Sequence, residues 1–453
     1  VKEKLAVVIL AAGQGTRMKS EKPKVLHELM GKTLIRHVLD AVLPLQPEKI
    51  SVIVGYQGEE IRKELQDYCV SFADQKPQLG TGHALQQAQA ELDGFNGPVL
   101  VLCGDTPLLS TKSLGGLVDN HLAARPAATV LTAKMENPTG YGRVFRSEDG
   151  KQILKIAEQK DLYPAEEAIK EINSGTYVFQ SPEVFSVLKQ LNTDNKQGEY
   201  YLTDVVRIWT EKGKSVFPFT AVDYREILGI NDRVDLSRAG LFLREKINRE
   251  HQKNGVTIED PAHTYIEAGV VIAPDTVIRP GTFLQGNTEV GGNVVLGPHT
   301  TLIDTRVGSG SSILKSHVQE ADIGPDCSVG PYAHLRPGTV LDRGVRVGDF
   351  VEIKKSFIGE GSKIPHLAYV GDATLGPDCN IGAGTIFANY DGEKKNPTFL
   401  GREVFIGSNS TLVAPLRMGD FSRTGAGSVV TRDVGENITV VGVPARPFSP
   451  KNE

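Results

Sequence analysis

Cysteine and tryptophan are scarce in this chain, with four and one respectively in 453 residues. Cys69, Cys103, Cys327 and Cys379 lie far apart and form no Cys-x-x-Cys pair. That spacing excludes a zinc knuckle or a disulfide framework and predicts buried free thiols in a reducing cytoplasm. Long apolar runs are missing too, since no stretch approaches the roughly 20 residues that cross a bilayer. Lys2, Glu3 and Lys4 precede only a short apolar run, which is not a signal-peptide layout. A formal net charge of -5 leaves no positive excess, so neither nucleic acid nor an acidic membrane is an expected partner. Hydrophobic content of 40% is ordinary for a globular protein, and the length allows two or three domains.

What is present begins with a strand, Val7-Val8-Ile9-Leu10, running into Ala11-Ala12-Gly13-Gln14-Gly15-Thr16-Arg17 and then Lys22-Pro23-Lys24. Small residues let the backbone approach a bulky anion, and free N–H groups can point at phosphate oxygens. Arg17 and Lys24 add positive charge where a strand of an open α/β sheet ends, the usual ligand site of such sheets. The loop is neither a P-loop nor a dinucleotide fingerprint, so its chemistry reads as polyphosphate or nucleotide. Leu5–Leu10, Ile50–Val54 and Val99–Leu102 read as buried strands. Leu34–Leu43, Glu59–Leu65 and His83–Leu92 read as helices between them, which predicts a mostly parallel sheet covered on both faces. Arg143–Phe145 and Ile153–Ala157 flank Asp149-Gly150 as a hairpin, and Ser181-Pro182 reads as the cap and first turn of a helix. Residues 231–254 carry apolar positions at helical steps, Leu236, Ala239, Leu243 and Ile247, ending at Gly255. The spacing predicts a long helix joining two domains.

After Gly255 the period changes. Ile266, Ile272, Ile278 and Leu284 recur every six residues, and the series returns at Ile323, Val329 and Leu335 and again at Leu375, Ile381, Met418 and Thr424. Most of the 48 glycines fall in this half. An aliphatic residue every six, followed by a small residue and a Gly/Pro turn, describes a triangular parallel β-helix of stacked coils. The stretch Phe387–Thr398 carries no hexad and is expected to loop out, which makes it a candidate site on a rigid scaffold.

Several motifs occur together: Leu10–Leu26, Leu79-Gly80-Thr81-Gly82-His83, Cys103-Gly104-Asp105, Gly140-Tyr141-Gly142-Arg143, Glu158-Gln159-Lys160-Asp161, Glu171-Ile172-Asn173, Gly198–Asp204 and Gly229–Arg233. Their order, with the hexad half behind them, resembles the sugar-nucleotide pyrophosphorylases. It resembles most the bacterial bifunctional N-acetylglucosamine-1-phosphate uridylyltransferase / glucosamine-1-phosphate N-acetyltransferase family. The resemblance implies an α/β Rossmann-like nucleotidyltransferase domain (1–230), a linker helix (231–254) and a left-handed parallel β-helix acetyltransferase domain (255–453). It implies Mg²⁺, the substrates UTP, acetyl-CoA, glucosamine 1-phosphate and N-acetylglucosamine 1-phosphate, a homotrimer, and a cytoplasmic enzyme of peptidoglycan precursor synthesis.

By the same resemblance Asp105 and Asn231 hold the metal, Arg17 stabilises the phosphates during transfer, and Lys24 grips them. Gln75, Gly80 and Thr81 face the uridine base, and Gly142, Glu158 and Asn173 face the sugar. Leu10, Ala11, Ala12, Gly13, Cys103 and Gly104 complete the uridylyl site, while His83 reads as structural. In the acetyl site His366 is the general base, since imidazole accepts a proton near neutral pH, with Glu352 orienting it. Arg336 and Lys354 grip the sugar phosphate, Tyr369 and Asn380 the sugar, and Ala383, Asn389, Tyr390, Ser408 and Ala426 the acetyl-CoA. Pro365 and Ala368 flank His366 in place of the family's glycine and threonine, which predicts a stiffer corner. Gly442 stands where many relatives carry an arginine against the CoA phosphates, leaving Arg446 as the nearby cation. A single-activity nucleotidyltransferase with a structural or regulatory β-helix is the alternative. A non-catalytic assembly protein is disfavoured by the intact Arg17, Lys24, Asp105 and Asn231.

Overall fold

The computed structural model describes residues 4–448, so the outermost ends of the expected domain bounds lie outside the described residues. Two compact units part inside one helix, between Phe242 and Leu243.

The first unit is built on strands β1 (Ala6–Leu10), β2 (Lys49–Val54), β3 (Ser71–Asp74), β4 (Gly97–Cys103) and β5 (Ala128–Lys134). The hairpin β6 (Arg143–Arg146) and β7 (Ile153–Ala157), then β8 (Glu171–Ser181) and β9 (Val216–Thr220), complete it. The sheet order is β9-β5-β8-β4-β1-β2-β3, with β6 on β8 and β7 on β6. β1 pairs in parallel with β2 and β4, whereas the long β8 runs against β4 and β5. The sheet is therefore mostly parallel, with one antiparallel strand inserted. Alternate residues of β1 enter opposite cores, Ala6 and Val8 one, Val7 and Ile9 the other. Burial on both faces explains why these strands read as unbroken apolar runs.

Helices α1 (Leu34–Val42) and α2 (Gly58–Glu64) match expectation, but α3 (Thr81–Gln87) is shorter. α4 (Thr111–Ala124) is capped by Ser110, whose side chain accepts from Ser113 N–H. Helix α5 (Glu183–Leu188) starts one residue later than Ser181-Pro182 suggested: Pro182 is its cap and Ser181 ends β8. The Ser181 hydroxyl donates to Phe95 O at 3.1 Å, so it serves β8 packing and not a helix end. Helices α6 (Asp204–Glu211) and α7 (Arg233–Lys253) follow, and Gly255, at φ 91°, stops α7.

The second unit is a left-handed parallel β-helix of short strands stacked in three sheets of 12, 10 and 9 strands. Each strand pairs in parallel with its equivalent one coil on, as Leu284 with Leu302; an antiparallel pair, Val440 with Pro447, closes one sheet. The inward aliphatics Ile278, Leu284, Leu296 and Leu302 are fully buried. Buried Thr282, Thr288, Thr339, Thr385 and Ser410 each donate to the carbonyl three residues earlier, at 2.6–2.8 Å. Corner carbonyls are thereby satisfied inside the prism. Where the hexad series faded, between Leu302 and Ile323, the coil persists, with inward Val307 and Val318 arriving after steps of five. Phe387 corrects a second expectation, because it is fully buried within a strand, Ile386–Ala388. The excursion spans 389–397, before strand Thr398–Leu400.

Candidate functional site

In the first unit, β1 and β4 end side by side, Leu10 opposite Cys103. Beyond them the Ala11–Thr16 loop is pinned by backbone bonds, Ala11 N to Ile53 O at 2.9 Å and Tyr56 N to Ala12 O at 3.2 Å. Gln78 adds a side-chain bond to Ala12 O at 2.6 Å. Gly15 takes φ +67°, and a Cβ there would stand 2.6 Å from the Lys24 Cβ, so glycine makes room for the lysine to lie along the loop. Lys24 is ion-paired to Asp105, both side chains largely shielded. Arg17 Nη2 donates to Asn231 Oδ1 at 2.8 Å. The Asp105 carbonyl accepts from Ile230 N–H at 2.9 Å, which ties the loop after β4 to the segment carrying Asn231.

Two adjoining cavities result. One of about 410 Å³ is lined by Ala11, Ala12, Gly13, Lys24, Gln75, Gly80 and Thr81. The other, about 210 Å³, is lined by Gly142, Glu158, Asn173 and Asn231. Leu10, Thr81, Cys103 and Asp105 line both, so they form one cleft with two halves. Gly104 lines neither; it is buried, and its N–H donates to Leu10 O at 2.9 Å.

In the larger half Gln75 is buried, and its Nε2 donates to Gly80 O at 2.9 Å and lies 3.1 Å from His83 Nδ1. His83, read from sequence as structural, thus holds Gln75 in place. In the smaller half, Arg143 pairs with Ala157 and with Ile172. Gly142, Glu158 and Asn173 therefore fall in one row across three neighbouring strands. That juxtaposition comes from residues far apart in sequence. Burial pushes the Glu158 carboxyl pKa up, opposed by the bond from Thr203 Oγ1 at 3.2 Å. Burial also pushes the Cys103 thiol up to about 12, which keeps it neutral. Thr203 and Gln78 were missed as site residues from sequence, though Thr203 lies within the quoted Gly198–Asp204 motif and Gln78 directly precedes Leu79.

In the second unit, successive coils repeat one corner. Leu367 N bonds Asp349 O, Gly384 N bonds His366 O, Asn409 N bonds Ala383 O, and Gly427 N bonds Ser408 O, at 2.7–3.3 Å. Asp349, His366, Ala383, Ser408 and Ala426 therefore occupy equivalent positions on five consecutive coils, each followed by a residue of positive φ. His366 is exposed, so its imidazole lies outside the prism. The carboxylate nearest it is Asp349, at 3.8 Å. Glu352 accepts from Arg336 Nη1 at 2.7 Å, so within one chain its carboxylate is engaged at a neighbouring corner.

Arg336 and Lys354 sit at the next corner of the prism. Lys395, from the excursion, lies against Lys354 and pushes its ammonium pKa down, a neighbour the sequence did not suggest. Within the excursion Asn389 Nδ2 donates to Asp372 Oδ2 at 2.6 Å and to Tyr369 Oη at 3.4 Å. Tyr390 donates to Gly392 O. Asp391 accepts from the backbone of Glu393 and Lys394 and from Asn396 Nδ2, which lowers its pKa to about 2. Asn380 pairs in register with Lys363 on the coil of His366. Arg446 turns back to Ala445 O at 2.9 Å. All four cysteines are free, but Cys69 is exposed, against expectation.

An α/β nucleotide cleft in one unit and a β-helix with a decorated corner in the other define a two-domain transferase. The MobA-like NTP transferase domain model matches residues 7–202. "Bifunctional protein GlmU" from Streptococcus thermophilus (strain ATCC BAA-491 / LMD-9) is 47% identical over 96% of this chain and 94% of its own length. The protein of that name from Streptococcus pyogenes serotype M5 (strain Manfredo) is 48% identical, again over 96% and 94%. That from Geobacillus sp. (strain WCH70) is 47% identical over 95% and 93%. A crystal structure of UDP-glucose pyrophosphorylase complexed with UDP-glucose aligns over 54% of this chain at TM-score 0.43 and 20% identity, too distant to add to these. The chain belongs to the GlmU family of bifunctional uridylyltransferase/acetyltransferase enzymes.

Proposed function

We propose that the cleft of the first unit joins UTP to N-acetylglucosamine 1-phosphate, releasing pyrophosphate. The observation that carries this reading is the pairing of Lys24 with Asp105 and of Arg17 with Asn231 at the mouth of a glycine loop. Each cation is parked on an oxygen donor and can turn to phosphate when substrate arrives. The sugar phosphate is already a nucleophile: its oxygen attacks the α-phosphorus, and the bond to pyrophosphate breaks. The protein need only align the two and neutralise charge. The oxygen donors of Asp105 and Asn231 suit a hard cation that keeps several waters, so these two residues would hold Mg²⁺. Its chemistry there would be neutralisation of phosphate charge. Gln75, its amide nitrogen engaged by Gly80 and His83, is left with an oxygen acceptor, which fits the N3–H of uracil and rejects cytosine. Glu158 and Asn173 would bind sugar hydroxyls or the acetamide, with Gly142 allowing close approach.

The second unit would acetylate glucosamine 1-phosphate. The amine attacks the thioester carbonyl, His366 takes the amine's proton, and the C–S bond breaks to release CoA thiol. Asp349 is the group placed to stabilise the imidazolium. Ala383, Ser408 and Ala426 lie one, two and three coils above His366, at about 4.8 Å per coil, a track of about 14 Å for the pantetheine arm. Asn389 and Tyr390 would close over it, Arg336 and Lys354 would take the phosphate, and Tyr369 and Asn380 the sugar. These groups divide between two edges of the prism, which supports a homotrimer whose neighbours complete each site. Exposed Tyr332, Phe350 and Leu367 follow one another up the His366 corner, the first two stacked 5.3 Å apart, an apolar ridge suited to such contact. The domain limits 1–230, 231–254 and 255–453 and a cytoplasmic location, where UTP and acetyl-CoA are found, belong to the same reading.

The test is a paired assay on the full chain. Asp105→Ala should lose pyrophosphate release from UTP while retaining thiol release from acetyl-CoA. Loss of both would overturn the separation of the two chemistries.

A further inference from the structure

Arg143 opens β6 and is 2% exposed. Among the described residues no carboxylate forms an ion pair with it. Its Nη1 donates to Tyr141 O, and its Nε is buried without a partner. Burial pushes the guanidinium pKa down, with only the charge of Glu167 opposing. The contrast is Arg146 on the same strand, whose guanidinium grips Glu171 through Nε at 2.8 Å and Nη2 at 2.5 Å. A buried, unpaired guanidinium is expensive, and hydrophobic side chains of similar volume commonly replace such groups at no loss of stability. Its retention calls for a return other than stability.

The surroundings supply one. Arg143 is the residue at which β6 meets both Ala157 and Ile172, so it anchors the strand position adjoining the Gly142, Glu158 and Asn173 row. Its one bond runs to the carbonyl of Tyr141, between Gly140 and Gly142. Tyr141 lines the smaller half of the cleft together with Gly229 and Asn231, and burial pushes its phenol pKa up. Gly229 lies two residues before Asn231. Arg143 thus holds the carbonyl of a residue that shares a cavity wall with the segment bearing Asn231.

We propose that Arg143 is a positioning residue for the sugar-phosphate half of the uridylyl cleft. Its buried cation clamps the Tyr141 carbonyl, setting the Gly140-Tyr141-Gly142 turn against the sugar and the Tyr141 phenol against the Gly229–Asn231 segment. The inference rests on the uridylyl reading above and deepens it.

The experiment is steady-state uridylyl transfer by full-length Arg143→Met and Arg143→Lys, with thiol release from acetyl-CoA as an internal control. Arg143→Met should raise KM for N-acetylglucosamine 1-phosphate by about ten- to hundredfold, the range expected for a modest misplacement. KM for UTP and the acetyl rate should stay close to wild type. Arg143→Lys, which can still donate to the carbonyl, should recover most of the loss. An unchanged sugar-phosphate KM in Arg143→Met overturns the proposal. So does an equal rise in both KM values that lysine does not rescue, since that marks general loosening. If Arg143→Met does not fold, Tyr141→Phe carries the test: it should show the same one-sided KM rise, and its absence overturns the proposal. A wild-type enzyme without uridylyl transfer would instead overturn the function on which the inference rests.

Discussion

His366 stands on the outer corner of the prism with Asp349 3.8 Å away, and its proposed role as general base is tested by removing the imidazole. His366→Ala should lower thiol release by about 10²–10⁴-fold with uridylyl transfer nearly unchanged, as read by paired assays on one preparation. Glu158 offers a different measurement. Burial raises its carboxyl pKa above the ordinary 4.5, so the folded chain binds that proton more tightly than the unfolded chain does. Stability is lost as pH rises from 4.5 through the raised folded value, and the cost persists at neutral pH. Glu158→Gln should therefore unfold at higher denaturant than wild type at pH 7. The difference should vanish below pH 4.5, and sugar-phosphate binding should weaken.

At the scale of elements, the 389–397 excursion is ordered by Asp391, whose lowered pKa of about 2 reflects bonds from Glu393, Lys394 and Asn396. A depressed carboxyl contributes order that is fully present above its ordinary 3.8 and is lost as pH falls toward 2. Asp391→Ala should raise the KM for acetyl-CoA and leave the uridylyl reaction alone, as separate titrations of each substrate would show. Beneath this excursion Phe387 fills the prism where other coils carry Leu, Ile or Val. Phe387→Ala should cost about 3–5 kcal/mol in chemical denaturation of the second unit. Legibility in sequence follows from the same elements. The six-residue period was plain wherever a Gly/Pro corner followed an aliphatic, and it faded where steps of five reached Val307 and Val318. The phosphate loop was legible because its chemistry is contiguous. The Gly142, Glu158 and Asn173 row was known only through family resemblance, because antiparallel pairing across three strands assembles it. Lys395 and Asp349 were not legible at all, since Asp349 reaches His366 through stacking of coils and Lys395 reaches Lys354 through the fold of the excursion.

For the whole molecule, the two chemistries place different demands on the medium. Removal of divalent cations with a chelator should abolish UTP turnover and leave thiol release untouched, measured in one buffer. A mass in solution near three times 49.0 kDa is expected, and Phe350→Asp, which puts charge on the apolar ridge, should lower both that mass and the acetyl rate.

If the acetyl-CoA arm runs up the corner shared by His366, Ala383, Ser408 and Ala426, as proposed above, that corner acts as a graduated ruler. Each coil inserted between the base and the upper marks would lift the nucleotide end of the acyl carrier by about 4.8 Å without disturbing the pleat above or below. Chain length in the thiol donor would then be metered in whole turns, and a variant lengthened by one coil should prefer a carrier with a correspondingly longer arm.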